Sequence, residues 1–228
     1  MNVYDAIYTR RDIREFRPDP VPHEVLLRML DAAHHAPSVG FMQPWSFVLV
    51  RDLEVRKRVR ESFLRENALA AQRYEGERRT LYEKLTLEGI LTSALNLCVT
   101  CDRTRGGAVL GRNSIPEMDL FSTCLAVQNL WLAGRAEGVG VGWLSIVDPG
   151  KLAQLLAIPE GVVPVAYLCV GYPREFAAEP MLQTSGWRER LPLRELVFSE
   201  RYGEPEHDLF DATKPSESAT SLRSKDGK

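Results

Sequence analysis

Residues 118–147, MDLFSTCLAVQNLWLAGRAEGVGVGWLSIV, decide what kind of sheet this chain can build. The first nineteen of them, Met118 to Ala136, read as a helix carrying Leu120, Phe121, Leu125, Ala126, Val127, Leu130, Trp131, Leu132 and Ala133. These are too many for one face, so the helix is expected to be buried on several sides, within a core or between subunits. Gly138-Val139-Gly140-Val141-Gly142 follow, and then an apolar strand over Gly142–Val147. A dinucleotide-binding fingerprint needs the order strand, glycines, helix, so that a phosphate meets a helix N-terminus. The order here is helix, glycines, strand. Gly138 suits a helix end and the other glycines a tight turn, which argues against a phosphate loop of that type.

Working outward, the upstream neighbour is a buried strand over Leu95–Cys101, followed by a Gly-containing loop from Arg103 to Arg112. Downstream come a short helix near Lys151–Leu156 and a strand over Val162–Gly171. The N-terminal part opens with a helix over Val3–Tyr8, and Pro18, Pro20 and Pro22 then enforce an extended link. A helix over His23–His34 has Val25, Leu26, Leu27, Met29 and Leu30 as its apolar residues and stops before Pro37. The loop Ala36–Trp45 leads into a strand over Phe47–Val50. From Leu53 to about Thr92 the pattern is helical and rich in charge. Its middle, Arg65–Glu83, is too polar for core and reads either as a solvated helix or as a mobile cover over a site.

A chain of 228 residues is long enough for one domain with a sizeable core. Its 29 basic and 31 acidic residues leave a net charge of −2, and Glu204–Lys228 carries that whole excess, so the body is neutral. Such a balance argues against nonspecific nucleic-acid binding. The polar start and the interrupted apolar runs argue against a leader or a membrane span and for a cytoplasmic protein. Residues 204–228 hold little apolar material and read as a disordered tail behind a domain of residues 1–203. Cys98 and Cys101 form a C-x-x-C, but inside a strand, where a spacing of three puts the thiols on opposite faces. Core cysteines are the better reading, and no metal ligand set is read.

The sequence has one concentrated basic cluster, Arg10, Arg11, Arg14 and Arg17, where the first helix ends. It fits either a solvated face or bidentate binding of a phosphate, for which guanidinium groups are well shaped. Arg188 and Arg190 form a second pair. Asp12 sits among the arginines, where a carboxylate cannot serve a phosphate directly. It is a helix cap, an ion-pair partner, or a base kept ionised by its cationic neighbours. Ser145 alone reads as a residue at the start of a strand, and no His and Asp accompany it as in a hydrolase triad.

Thr9-Arg10-Arg11-Asp12-Ile13-Arg14-Glu15-Phe16, Ala36-Pro37-Ser38-Val39-Gly40-Phe41-Met42-Gln43-Pro44-Trp45 and the run Gly138–Ser145 resemble the FMN-dependent nitroreductase superfamily. With Cys98–Gly107 and Gly186–Leu193, they resemble more narrowly its oxygen-dependent branch, the 5,6-dimethylbenzimidazole synthase family. The likeness spans roughly residues 2–203. It implies an α+β fold with a central, mostly antiparallel sheet flanked by helices, in an intertwined homodimer whose core helix is Met118–Ala136 and whose interface holds FMN. By position, Arg10, Arg11 and Arg14 would hold flavin phosphate and ribityl oxygens, assisted by Arg188 and Arg190. Pro37, Ser38 and Gln43 would come from the partner subunit, while Ile13, Leu87, Leu144 and Ser145 would border the flavin. The implied reaction is O2-dependent fragmentation of reduced FMN, supplied by a separate flavin reductase, to 5,6-dimethylbenzimidazole and erythrose 4-phosphate. Asp12 and Ser145 would be the catalytic residues, and the Arg65–Glu88 cover would exclude water. The alternatives are NAD(P)H-dependent nitro or quinone reduction, cob(II)yrinate diamide reduction, and a non-catalytic flavin carrier.

Overall fold

The computed structural model describes residues 1–211. Helix α1 spans Val3–Thr9 and begins on a capping box, in which the Asn2 side chain accepts from the Asp5 N–H and the Asp5 carboxylate accepts from the Asn2 N–H. Helix α2 covers His23–His34, and strand β1 runs over Trp45–Val50. The helical region after Leu53 breaks in two. Helix α3 spans Leu53–Ala71, α4 spans Gly76–Lys84, and residues 85–92 leave the helical path. Strand β2 is Leu95–Asp102, α5 is Met118–Ala136, β3 is Gly140–Leu144, α6 is Pro149–Leu155 and β4 is Val162–Gly171. Two helical turns follow, α7 at Met181–Thr184 and α8 at Asp208–Asp211.

The sheet has the order β1-β2-β4-β3 and every pairing is antiparallel, as the α+β reading expects. Its two faces bury different cores. Leu95, Leu97 and Val99 of β2 pack with Met29 of α2 and Val127 and Leu130 of α5. Cys98, on the opposite face, packs with Val59 and Phe63 of α3 and with Ile90, Tyr167 and Cys169. Alternation along β2 therefore separates the C-x-x-C thiols. Burial pushes the Cys98 and Cys169 thiols up to about 12, which makes them inert at neutral pH. Ellman titration of the native chain is expected to find no more than one reactive thiol, the exposed Cys124, and all four after denaturation.

Helix α5 ends in a Schellman turn. Gly138, at φ 74°, lets its N–H reach the Arg135 carbonyl (3.2 Å) and the Val139 N–H reach that of Gly134 (2.7 Å). One expectation is corrected here. The strand after this turn is Gly140–Leu144, not Gly142–Val147, because the glycines themselves pair with β4: Gly140 faces Gly171 and Gly142 faces Cys169. Ser145 thus follows the strand's end. Within the protomer the core buries only part of α5, since Phe121 is 53% and Leu125 46% exposed, and burial of these two between subunits is the alternative the expectation named. The polar α3–α4 segment is not merely solvated. Tyr82 of α4 is buried against Tyr74, with ring centroids 5.0 Å apart, and donates to Asn67 Oδ1 at 2.6 Å.

The chain divides into two compact units between Ser185 and Gly186, earlier than the boundary read from composition. In the second unit Phe198 and Pro205 form a β-bridge ahead of α8. Part of the stretch read as a tail is therefore structured, and residues 212–228 lie outside the described residues. Among those described, no helix is long and apolar enough to cross a membrane.

Candidate functional site

The two glycines of β3 are seats for the N-terminal segment. Residues 12–14 run parallel to β3 along the sheet edge, with an Asp12–Val141 bridge and the Ile13 N–H donating to the Val141 carbonyl at 3.1 Å. A Cβ on Gly142 would lie 2.0 Å from the Ile13 carbonyl oxygen, and one on Gly140 would lie 2.8 Å from Ile13 Cγ1. Only glycine lets the two backbones approach this closely.

That docking fixes Asp12 and Arg14 side by side. Asp12 Oδ1 accepts from the Trp143 N–H at 2.8 Å, and its Oδ2 accepts from Arg14 Nη2. The same Nη2 donates to the Trp143 carbonyl at 2.9 Å. Arg14 Nε and Nη1 are buried and have no hydrogen-bond partner. Buried guanidinium donors without acceptors are costly, and a phosphate or a row of sugar hydroxyls would satisfy them. This pair of donors is the observation by which the site fits FMN. Arg10 lies with its guanidinium 5.2 Å from the Trp131 ring centroid, and the Trp131 indole N–H donates to the Arg11 carbonyl at 3.2 Å. Arg11 itself turns back, donating to the carbonyls of Tyr8, Arg10 and Ala178.

The Asp12 carboxyl does not behave as its neighbours suggest. Its pKa is raised from the ordinary 3.8, not lowered. Although 41% of its side chain reaches the surface, the carboxyl lies in a recess, and loss of water around it is the largest influence. Arg14, the Trp143 N–H and Arg10 pull the other way without cancelling it. Reading cations along a sequence counts charges but not the water they displace.

Ile13 and Leu144 are both buried in the second core, and Leu87 packs against the same cluster. Ser145 is exposed immediately beyond β3. Pro37, Ser38 and Gln43 sit elsewhere in the first unit. The Ser38 hydroxyl accepts from the Gln43 N–H at 3.0 Å in a loop where Gly40, Phe41 and Gln43 all have positive φ. This loop is tied to the other half of α5 by the Val39 N–H donating to Ser122 Oγ at 3.1 Å. Ser122 and Trp131 are nine positions apart, about 13 Å along the helix. Pro37, Ser38 and Gln43 are therefore offset along α5 from Arg10 and Arg14 of their own chain. Arg188 and Arg190 are exposed residues of the second unit.

Sequence reasoning missed the two tryptophans and the clamps behind the loop. Trp143 contributes its main chain, which no residue type announces. Arg105 donates to the Gln43 carbonyl at 2.6 Å and the Trp45 carbonyl at 2.8 Å. Asp119, fully buried, pairs with Arg103 at 3.1 Å and Arg112 at 2.8 Å. An acidic residue at the start of an apolar helix, preceded by a loop holding several arginines, was the available signal.

The nitroreductase family model matches residues 7–172. Across 190 residues the chain is 44% identical to 5,6-dimethylbenzimidazole synthase of Rhodospirillum rubrum, covering 82% of this chain and 90% of that protein. The corresponding enzyme of Rhodobacter capsulatus is 40% identical over 82% of this chain and 91% of its own. Among solved structures, oxidised iodotyrosine deiodinase bound to FMN and 3-iodo-L-tyrosine superposes with a TM-score of 0.67 at 22% identity, over 88% of this chain and 99% of that one. The glycine-seated arginine segment at the sheet edge thus belongs to a fold and a sequence lineage that agree, and the chain is a member of the nitroreductase family.

Proposed function

We propose that this chain cleaves reduced FMN with dioxygen to release 5,6-dimethylbenzimidazole and erythrose 4-phosphate. The observation that carries the reading is the Asp12–Arg14 pair: a carboxylate held by the Trp143 N–H, beside a guanidinium with two unspent buried donors. The likeness to the two synthases supports it over 82% of the chain.

Reduced FMN supplies the electrons that dioxygen takes up and is itself the molecule that is broken. Arg14 and Arg10 hold the phosphate and ribityl oxygens, as the guanidinium fork suits. Asp12, already committed to an acceptor role, takes a proton at the ribityl carbon attached to the ring. Ser145 donates a hydrogen bond to the ring system. Ile13, Leu87 and Leu144 give the site an apolar border, and the α3–α4 region with the segment to Glu88 excludes water. Pro37, Ser38 and Gln43 are supplied by a second copy, consistent with their offset from Arg14. Reduced flavin comes from a separate reductase. Four free cysteines suit a reducing, cytoplasmic setting.

The homodimer rests on apolar surface left open by the protomer. Phe121 and Leu125 of α5 are exposed, as are Val3, Tyr4, Ile7 and Tyr8 of α1. Sedimentation is expected to show a dimer, and Phe121→Asp with Leu125→Asp a monomer whose FMN affinity falls by about tenfold or more. A double variant that remains dimeric would place the interface elsewhere.

The deciding experiment is chromatography after purified protein and chemically reduced FMN are exposed to air. Benzimidazole product is expected. FMN and peroxide alone would overturn the reading, and repeated NAD(P)H oxidation with a quinone would favour an ordinary reductase.

A further inference from the structure

Away from the arginine segment, α3 and α6 enclose an open cavity of about 370 Å³. Arg58, Ser62 and Arg65 line it from one face of α3, as their spacing of four and three residues requires. Lys151 faces them from α6, with Val147 and Leu155 as apolar wall.

Two features of this cavity are unexplained by folding. Ser62 is 93% buried, and its hydroxyl has no hydrogen-bond partner. A mid-helix serine ordinarily donates to the carbonyl four residues back, and this one does not. Neither Arg58 nor Arg65 makes an ion pair among the described residues, whereas Arg60 on the same helix is paired with Glu88 at 2.9 Å. Lys151 is engaged, with Asp148 at 3.4 Å and Glu66 at 4.0 Å, and Glu61 also lines the wall. The lining therefore carries three cations against one carboxylate, around a hydroxyl that lacks an acceptor.

We propose that the α3–α6 cavity is a second anion site, which takes a phosphate monoester. The two unpaired guanidinium groups would bind its oxygens, Ser62 would donate to one of them, and the organic part would rest on Val147 and Leu155. None of its lining residues belongs to the Arg10–Arg14 cluster, although Arg65 also begins the segment read as the flavin cover.

Calorimetric titration of the FMN-saturated protein with glycerol 3-phosphate tests this, because FMN occupies the other arginine cluster. Saturable binding is expected, weakened about tenfold or more in Arg58→Gln/Arg65→Gln and weakened in Ser62→Ala. Arg58→Lys/Arg65→Lys should restore part of it, and all three variants should keep the wild-type circular dichroism spectrum. Pelleting with phosphatidic acid–phosphatidylcholine vesicles distinguishes sources: co-sedimentation that depends on Arg58 and Arg65 identifies a lipid headgroup as the monoester. Identical isotherms for wild type and the double glutamine variant, with no arginine-dependent pelleting, would overturn the proposal. Loss of glycerol 3-phosphate binding would leave benzimidazole formation to be judged separately, so the two readings fail by different measurements.

Discussion

Gly142→Ala is expected to destabilise the protein by about 3 kcal/mol, to lower its melting temperature by roughly 10 °C, and to abolish FMN binding. The added methyl group would sit 2.0 Å from the Ile13 carbonyl oxygen, and Arg14 Nη1 is only 3.6 Å from the same point. The 3.6 Å approach to Arg14 is ordinary contact, but the colliding neighbour is backbone and cannot step aside as the tip of a flexible side chain would. The N-terminal segment must leave β3, losing the Ile13–Val141 hydrogen bond and the Asp12–Trp143 hydrogen bond together. Gly138→Ala is the matched control. Its φ of 74° makes alanine strained by about 1 kcal/mol, but nothing lies within 4 Å of the new Cβ. The control should melt slightly early and still bind FMN. A Gly142→Ala protein with wild-type melting and FMN affinity would show that the segment is not seated as described.

Asp12→Asn is expected to fold normally, hold FMN within a few-fold of wild type, and form benzimidazole more slowly by about 10² to 10⁴. Asparagine retains an oxygen for the Trp143 N–H, so the recess keeps its shape while losing its proton acceptor. The sign of the pH dependence follows from the raised pKa. The charged carboxylate is the reactive form, so the rate should climb with pH through an acid limb lying above 3.8. For stability the same shift works in reverse. Ionising a carboxyl whose folded pKa is raised costs folding free energy, and the cost is absent below 3.8 and develops as pH rises through the folded value. Removing the charge in Asp12→Asn should erase the acid limb and slightly raise the melting temperature at neutral pH. An acid limb at or below 3.8, or one that survives the substitution, would remove Asp12 from the proton-transfer role.

Legibility in the sequence followed the range of the forces involved. Helices at His23–His34 and Met118–Ala136 and the strand at Val162–Gly171 lie where periodicity places them, because local pattern and burial agree there. The break after Ala71 was not legible. No proline or glycine occurs before Gly76, and the stop comes from Tyr82 folding back on Tyr74 and Asn67. The edges of β3 were misplaced because its glycines are chosen by Ile13, more than a hundred residues away in the chain. Apolar content of α5 was read as burial in a core or between subunits, and the pattern alone did not separate the core-facing residues from Phe121 and Leu125, which are exposed in the protomer. At the site, Arg10, Asp12 and Arg14 are neighbours in sequence and remain so in space. Trp143 enters through its amide, and a main-chain donor leaves no trace in residue identity.

The parallel pairing of residues 12–14 with β3 also constrains when the site can come into being. Arg14 emerges early in synthesis, but its partner Trp143 stands 129 positions later, and among the described residues the one strand that pairs with β3 is β4, which ends at Gly171. Contacts of such long sequence separation close late, after the loop entropy between them has been overcome. The first arginines made are therefore the last to be seated. A growing chain has Arg10 and Arg14 long before it can use them, and acquires flavin affinity only once the β3–β4 ladder is complete.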